Sequence, residues 1–202
     1  FVILMTLERC DHFKEFVYHR WLRLFPAMLI CSLFIFFSAS FFPERPNGQP
    51  QALNLIPGLI FIEPYLLGKL TGIPFESIEN AFWSLYVEFK FYIIAAIFYF
   101  LFGSRALVTL LFLCFLSDFV FSQLTLVYDN KLLSLAYSIT ANLSFKHFGW
   151  FAAGAAFYMF KKYEHNNWFV YGVIISGINA LIIAEDDLTK LFTLGLIVFL
   201  FS

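Results

Sequence analysis

The stretch AFWSLYVEFKFYIIAAIFYFLF, residues 81–102, decides the fold class because it is long, apolar and almost free of charge. A helix needs roughly 20 apolar residues to cross the hydrocarbon core of a bilayer. Similar stretches lie at 24–42, 106–124, 148–160, 168–184 and 188–202, and residues 1–6 have the character of the end of a further span. The sequence therefore predicts an all-α fold, a polytopic bundle of transmembrane helices.

The composition gives the same indication. Hydrophobic residues make up 61% of the 202 positions, 30 of which are Phe, and charged residues only 13%. So much apolar surface exceeds what a soluble core hides, so the lipid bilayer is the expected environment. A formal net charge of −1 does not indicate nucleic acid as a partner. The cysteines, Cys10, Cys31 and Cys114, lack the paired spacing of a disulfide framework or a metal site.

Both ends of the chain lie in hydrophobic runs and the first residue is Phe, so we expect a fragment of a longer protein, with 1–202 as one membrane domain. The longest segment between spans, 43–80, contains six of the seven prolines, which exclude a regular helix through it. Its apolar middle, 55–67, is expected to lie in the membrane interface or to re-enter the bilayer.

The distribution of basic residues predicts the orientation. Lys and Arg in alternate loops number seven on one side and five on the other. The positive-inside rule places the richer side, including the loop that ends at Arg23, in the cytoplasm. The proline-rich segment 43–80 is then extracytoplasmic.

The first candidate site is the segment FVYHRWLRLFP, residues 16–26. Arg20 and Arg23 are three residues apart and so share one helix face, which we place at the inner membrane surface. Two guanidinium groups there can hold a phosphate-bearing ligand. A basic flank that orients the span is the alternative explanation. Because Pro26 is tolerated in the first turn of a helix, the span is expected to begin close to Arg23.

The second candidate is Glu88, which lies inside the apolar stretch 81–102. An intramembrane carboxylate costs about 2.5–3.5 kcal/mol or more to insert, so it usually faces a cavity or a partner. Five polar or small residues follow a helical spacing: Ser84, Glu88, Tyr92, Ala95 and Tyr99. Glu88 is therefore predicted to face the bundle interior, with Lys90 pointing elsewhere. A structural ion pair or hydrogen bond between spans is the alternative.

Other polar and small residues in the spans have simpler explanations. Asp118 lies near the end of 106–124, where we expect it to be paired rather than functional. Residues 152–156 form a face of small side chains suited to close helix packing, as do Gly172 and Ser176.

Together, the arginine pair and the Trp-Ser-Leu-x-x-Glu-x-x-Phe-Tyr pattern at 83–92 resemble two segments of the acyltransferase-3 family. Their order matches, as does the span and proline-rich loop between them. Arg20 and Arg23 resemble the family's paired arginines. The positions that resemble its second signature are Trp83, Ser84, Glu88, Phe91 and Tyr92.

The resemblance implies a multi-pass enzyme of the bacterial cytoplasmic (inner) membrane. It would transfer an acyl group, often acetyl from acetyl-CoA, to a hydroxyl of a glycan, a lipid-linked sugar or another small acceptor. Acyl-CoA is then the co-substrate, and no metal is expected. The implied roles are catalysis for Glu88, CoA binding for Arg20 and Arg23, and substrate binding for Trp83, Ser84 and Tyr92.

One family feature has no counterpart in this sequence. The family's catalytic Arg and His lie in a first span that would precede Phe1, so the fragment alone is expected to be inactive. Two other classes stay open: a secondary transporter, since substrate pathways also use intramembrane carboxylates, and a non-catalytic membrane sensor related to the enzymes.

Overall fold

A computed structural model of the chain describes residues 1–42, 44–45 and 47–183, together with 189, 192–193 and 195–196. The α-helices, numbered α1 to α8 in chain order, are Val2–Leu7, Phe13–Ser38, Leu55–Ile60, Pro64–Thr71, Trp83–Val127, Lys131–Asn142, Phe148–Tyr163 and Asn166–Ile183. Short 3-10 turns occur at Ala39–Phe41, Ala52–Asn54, Asn80–Phe82 and Phe145–His147. The fold is all-α, as predicted.

Within the described residues, three helices are long and apolar enough to cross a membrane: Phe13–Phe41, Asn80–Val127 and Asn166–Ile183. A fourth span results if the bent pair Ala52–Ile60 and Pro64–Thr71 is counted as one. The chain is therefore a multi-pass membrane protein, and the predicted helical bundle is confirmed. The expected span at 188–202 lies outside the described residues.

The chain divides into two compact units. We call Lys14–Ile93 the motif unit, because both segments of the acyltransferase-3 resemblance fall within it. Phe1–Phe13 and Ile94–Ser202 together form the second unit. The single membrane domain expected from the sequence stays a prediction.

Helix α2 begins earlier than the sequence suggested. It starts at Phe13 rather than near Arg23, so Pro26 lies inside the helix instead of in its first turn. Neither Gly nor Pro occurs between Phe13 and Pro26, so nothing prevents the helix from starting before the proline. The 26 residues of α2 extend about 39 Å, more than the roughly 30 Å hydrocarbon core. Hydropathy therefore did not locate the start of this helix.

Helix α5 joins two expected spans, 81–102 and 106–124, without the loop that we expected between them. The break is a single residue, Gly103, whose φ of 83° and ψ of 176° belong to a region that is essentially restricted to glycine. A Cβ at this position would meet no atom within 4 Å, so glycine is needed for backbone conformation rather than for space.

The proline-rich segment contains α3 and α4, which are bent by 105° relative to each other. This is the geometry of a broken span or a re-entrant loop. Phe61 ends α3 in the left-handed conformation, and Pro64 begins α4, so the chain turns sharply between the two helices. A Cβ on Gly58 of α3 would come within 2.9 Å of Met28 Cε on α2, which shows how closely the two helices pack.

In the second unit, α7 and α8 pack closely through small residues, as the sequence predicted. A Cβ at Gly172 would lie 2.8 Å from the Phe157 ring, and one at Gly149 would overlap the buried side chain of Asn179. Helix α6 was not expected from hydropathy. Its first turn is capped by the Asn130 side chain, whose Oδ1 accepts a hydrogen bond from the backbone N–H of Leu132 at 2.9 Å.

Candidate functional site

Within the motif unit, Arg20 of α2 lies against Tyr92 of α5. The Arg20 guanidinium carbon is 5.1 Å from the centre of the Tyr92 ring and 5.4 Å from that of Phe16. The two rings are nearly perpendicular, at 87°, with centroids 6.3 Å apart. Arg20 is only 4% exposed, and a desolvated cation over an aromatic ring is stabilised by about 2 kcal/mol.

On the other side of Tyr92, its hydroxyl donates a hydrogen bond to the Glu88 carboxylate, one helical turn earlier in α5. The ring of Tyr92 is buried and Glu88 is half-buried. The structure thus confirms that these two residues share a face of the helix. Hydrogen bonds to charged groups contribute about 1.5–3 kcal/mol, so this contact also fixes the position of the carboxylate.

Arg20, Tyr92 and Glu88 together form what we call the Arg–Tyr–Glu cluster. One buried tyrosine presents its electron-rich face to a cation and its hydroxyl to an anion. The two charges are therefore accommodated in one place without burying an isolated ion. Chemically, the cluster supplies an oriented carboxylate that can accept a hydrogen bond or a proton from a hydroxyl group.

The two arginines of the first motif are not equivalent. Arg20 is buried within the cluster, whereas Arg23 is exposed. Both charges are nevertheless close enough to act electrostatically on the Tyr92 hydroxyl. Because Arg20 is buried, the two guanidinium groups cannot both reach outward to one ligand. The exposed Arg23 can make a single contact.

Trp83 and Ser84 lie one turn or more before Glu88 and are not part of the cluster. Trp83 is 55% exposed, and the Ser84 hydroxyl is exposed and donates to the Ala81 carbonyl at 3.3 Å. Phe91 is buried, and its ring centroid is 6.2 Å from that of Tyr92. Of the second motif, the structure therefore brings Glu88 and Tyr92 together and leaves Trp83 and Ser84 facing outward.

An ion pair that the sequence did not predict lies on another face of α5. Lys90 Nζ is 2.8 Å from Glu63 Oε1, the residue that precedes α4. The rings of Phe61 and Phe89, which are near Glu63 and Lys90 in the sequence, have centroids 5.2 Å apart. Lys90 does point away from Glu88, as expected. A charged residue within a span needs a partner, but its identity depends on the path of the proline-rich segment, which periodicity cannot give.

The same segment also borders a cavity of about 660 Å³. Arg45 Nη2 donates to the Ile78 carbonyl at 2.9 Å and lies 3.8 Å from Glu79 Oε2. The side chains of Phe41 and Phe42 line the apolar part of the cavity. The cavity combines aromatic walls with the Arg45 guanidinium, which Ile78 and Glu79 hold in place. Its size would suit an organic ligand.

Within the described part of the chain, no group of three or more His, Cys, Asp or Glu residues is arranged to hold a metal ion. In comparisons with known proteins, no family model, no curated protein and no solved structure matches this chain. The fold and the site define an all-α, multi-pass membrane protein with an Arg–Tyr–Glu cluster. The resemblance to acyltransferase-3 proteins stays a hypothesis that rests on the two motifs.

Proposed function

We propose that the full-length protein is a membrane-bound O-acyltransferase, which transfers an acyl group, most simply acetyl, from acyl-CoA to a hydroxyl of a glycan or another small acceptor. The observation that carries the proposal is the Arg–Tyr–Glu cluster. The sequence motifs singled out independently, around Arg20 and around Glu88, meet within one compact unit. Such convergence of charged residues within a membrane protein favours a functional site over two unrelated topogenic features.

The roles of the two arginines follow from their burial. Arg23, which is exposed, contacts the phosphates of the CoA moiety. Arg20, which is buried against Tyr92, acts as a positioning residue that holds the tyrosine and offsets the charge of Glu88. This differs from the symmetrical role that the sequence suggested for the pair.

In the proposed reaction, the acceptor hydroxyl oxygen attacks the thioester carbonyl carbon, and the C–S bond breaks as the new C–O bond forms. The hydroxyl proton passes to a general base, and the CoA sulfur leaves as a thiol after protonation. Glu88 accepts a hydrogen bond from the acceptor hydroxyl or orients the base. Trp83 and Ser84, which face outward, contact the substrate. Exclusion of water by the surrounding aromatic side chains protects the thioester from hydrolysis.

The acyltransferase-3 resemblance implies the cytoplasmic membrane of a bacterium, and the distribution of basic residues places Arg23 on the cytoplasmic side. CoA is a cytoplasmic metabolite, so an arginine at that surface is suitably placed to meet it. The acceptor, a glycan or lipid-linked sugar, then approaches through the proline-rich segment or the outward-facing residues of α5.

The test is acetyl transfer from labelled acetyl-CoA in membranes that contain the full-length protein. Glu88→Gln keeps the size of the side chain but removes its charge, and we expect transfer to fall at least about a hundredfold. Glu76→Gln is the matched control, because Glu76 is an exposed carboxylate of the same unit. Arg23→Ala should raise the KM for acetyl-CoA more than it lowers kcat. Full activity of Glu88→Gln would remove this residue from the mechanism.

A secondary transporter is the competing function, and one observation favours it. The bent pair α3–α4 has the form of a broken span, and the Lys90–Glu63 ion pair lies beside it, features that transporters use in substrate pathways. Binding of CoA to the purified full-length protein separates the two functions, because a transporter of other solutes has no reason to recognise the nucleotide. Binding without transfer would favour the related non-catalytic sensor.

A further inference from the structure

A small cavity in the second unit has the features of a second ligand site. It is lined by residues of α5, α6, the turn before α7 and the end of α8, among them Phe115, Asp118, Ser122, Gln123, Tyr137 and Lys146. Its volume is about 240 Å³, that of roughly eight water molecules at liquid density. The cavity is therefore large enough for a small polar molecule and too small for a drug-sized one.

Asp118 is the most informative residue of this cavity. It is only 8% exposed, and its Oδ1 atom is buried without a hydrogen-bond partner among the residues that the structure describes. The Ser122 hydroxyl, one turn away, donates instead to the Phe119 carbonyl at 2.7 Å. Leaving a buried carboxylate oxygen without a hydrogen bond is costly, and a donor on a bound ligand would remove this cost. The charge of Asp118 acts on the neighbouring His147, but within the described residues its Oδ1 atom has no hydrogen bond.

The charges around the cavity indicate what the donor carries. Lys146 lines the cavity, is exposed, and forms no ion pair with the described residues. His147 is the next residue in the sequence; burial and the charge of Lys146 lower its pKa below the ordinary value, while the charge of Asp118 acts in the opposite direction. The cavity thus offers one buried carboxylate and one exposed basic group, together with aromatic side chains and a glutamine.

We propose that this cavity binds a small zwitterion, with its primary ammonium group at Asp118 and its anionic group at Lys146. An N–H donor supplies what the Asp118 oxygen lacks, and the anion meets a basic side chain that has no ion-pair partner among the residues that the structure describes. The rings of Phe115 and Tyr137 give an ammonium group additional cation–π stabilisation. Free phosphoethanolamine and the headgroup of phosphatidylethanolamine both have this chemistry. The proposal is independent of the acyltransferase function.

The experiment measures the melting temperature of purified full-length protein with O-phosphoethanolamine, ethanolamine or acetate added. We expect O-phosphoethanolamine to stabilise the wild type most. Asp118→Asn should weaken its binding by at least about tenfold, since a hydrogen bond to a charged group is lost. Asp129→Asn, which changes an exposed carboxylate outside the cavity, should bind as the wild type does. Lys146→Gln should weaken binding of O-phosphoethanolamine but not of ethanolamine, with Lys131→Gln as its control.

A second arm identifies the source of the ligand. The same variants are compared in nanodiscs of phosphatidylethanolamine and of phosphatidylcholine, whose quaternary ammonium cannot donate a hydrogen bond. Stabilisation by phosphatidylethanolamine that disappears in Asp118→Asn supports a lipid headgroup as the ligand, and stabilisation by the soluble probe alone supports a free zwitterion. If neither form stabilises the wild type, or if Asp118→Asn responds as the wild type does, the proposal is wrong.

Discussion

The contacts within the motif unit differ in kind from those within the second unit. In the motif unit, charged side chains connect the elements. Arg20 lies over the ring of Tyr92, and Lys90 forms an ion pair with Glu63. In the second unit, α7 and α8 approach closely because glycine and alanine leave room between them. The difference teaches that charged side chains can hold the elements of a membrane protein together in one region, while small residues allow close helix packing in another.

The largest effect is expected from filling the space between α7 and α8. In Gly149→Val, the added side chain overlaps the side chain of Asn179, which is completely buried and must be displaced. Overpacking of this kind costs about 1–3 kcal/mol or more. The melting temperature and the monodisperse yield in detergent should both fall. Ala141→Val, which adds bulk at an exposed position of α6, is the control. Equal stability of the two variants would contradict close packing at Gly149.

The Lys90–Glu63 ion pair tests whether the motif unit depends on matched charges. Lys90→Met removes the ion-pair partner of Glu63, and breaking a buried pair in this way costs about 3–5 kcal/mol of stability. The Glu63 side chain is 28% exposed, so solvent reduces this loss, and we expect roughly 1–3 kcal/mol. Adding Glu63→Gln to Lys90→Met should recover part of the stability. A double variant that loses the sum of both single effects would mean that the two residues act independently.

Periodicity in the sequence predicted the local half of the Arg–Tyr–Glu cluster. Glu88 and Tyr92 are four residues apart, so any helix places them on one face. The contact between Arg20 and Tyr92 joins residues 72 positions apart, and nothing in the spacing of either motif specifies it. The burial of Arg20 was missed for the same reason, since a basic residue near the end of an apolar run ordinarily faces water.

Element boundaries show a similar limit. Hydropathy located the apolar stretches correctly but could not show that α5 continues through Gly103 with one non-helical residue, because a direct junction and a short loop have the same composition. Helix α6 was missed because it is too short and too polar to resemble a span. The partner of Lys90 was missed because it depends on the fold of the proline-rich segment.

A smaller change, Tyr92→Phe, divides the cluster into its two contacts. The ring remains for Arg20, but the hydrogen bond to Glu88 is lost, at an expected cost of about 1.5–3 kcal/mol. If the cluster is the functional site, transfer activity should fall while the protein stays folded. Combined with Glu88→Gln, the effects should be clearly non-additive, because both variants act on the same hydrogen bond: Tyr92→Phe removes its donor, and Glu88→Gln replaces its charged acceptor by a neutral one. Additive losses in activity would separate Tyr92 from Glu88.

The smallest effect is expected at an exposed ion pair of the second unit. Lys162 Nζ is 2.7 Å from Glu8 Oε2, but the Lys162 side chain is 39% exposed, so Glu8→Gln should cost no more than about 1 kcal/mol. The pH dependence of this ion pair follows from the Lys162 pKa, which the hydrogen bond from Lys162 to Glu8 raises above its ordinary value of 10.5.

A raised folded-state pKa means that the stabilisation is fully present below pH 10.5 and is lost as the pH rises through the folded-state value. The difference in melting temperature between wild type and Glu8→Gln should therefore be small at pH 8 and smaller still at pH 11. A difference that stays constant or grows between pH 8 and pH 11 would mean that Glu8 does not stabilise the fold through Lys162.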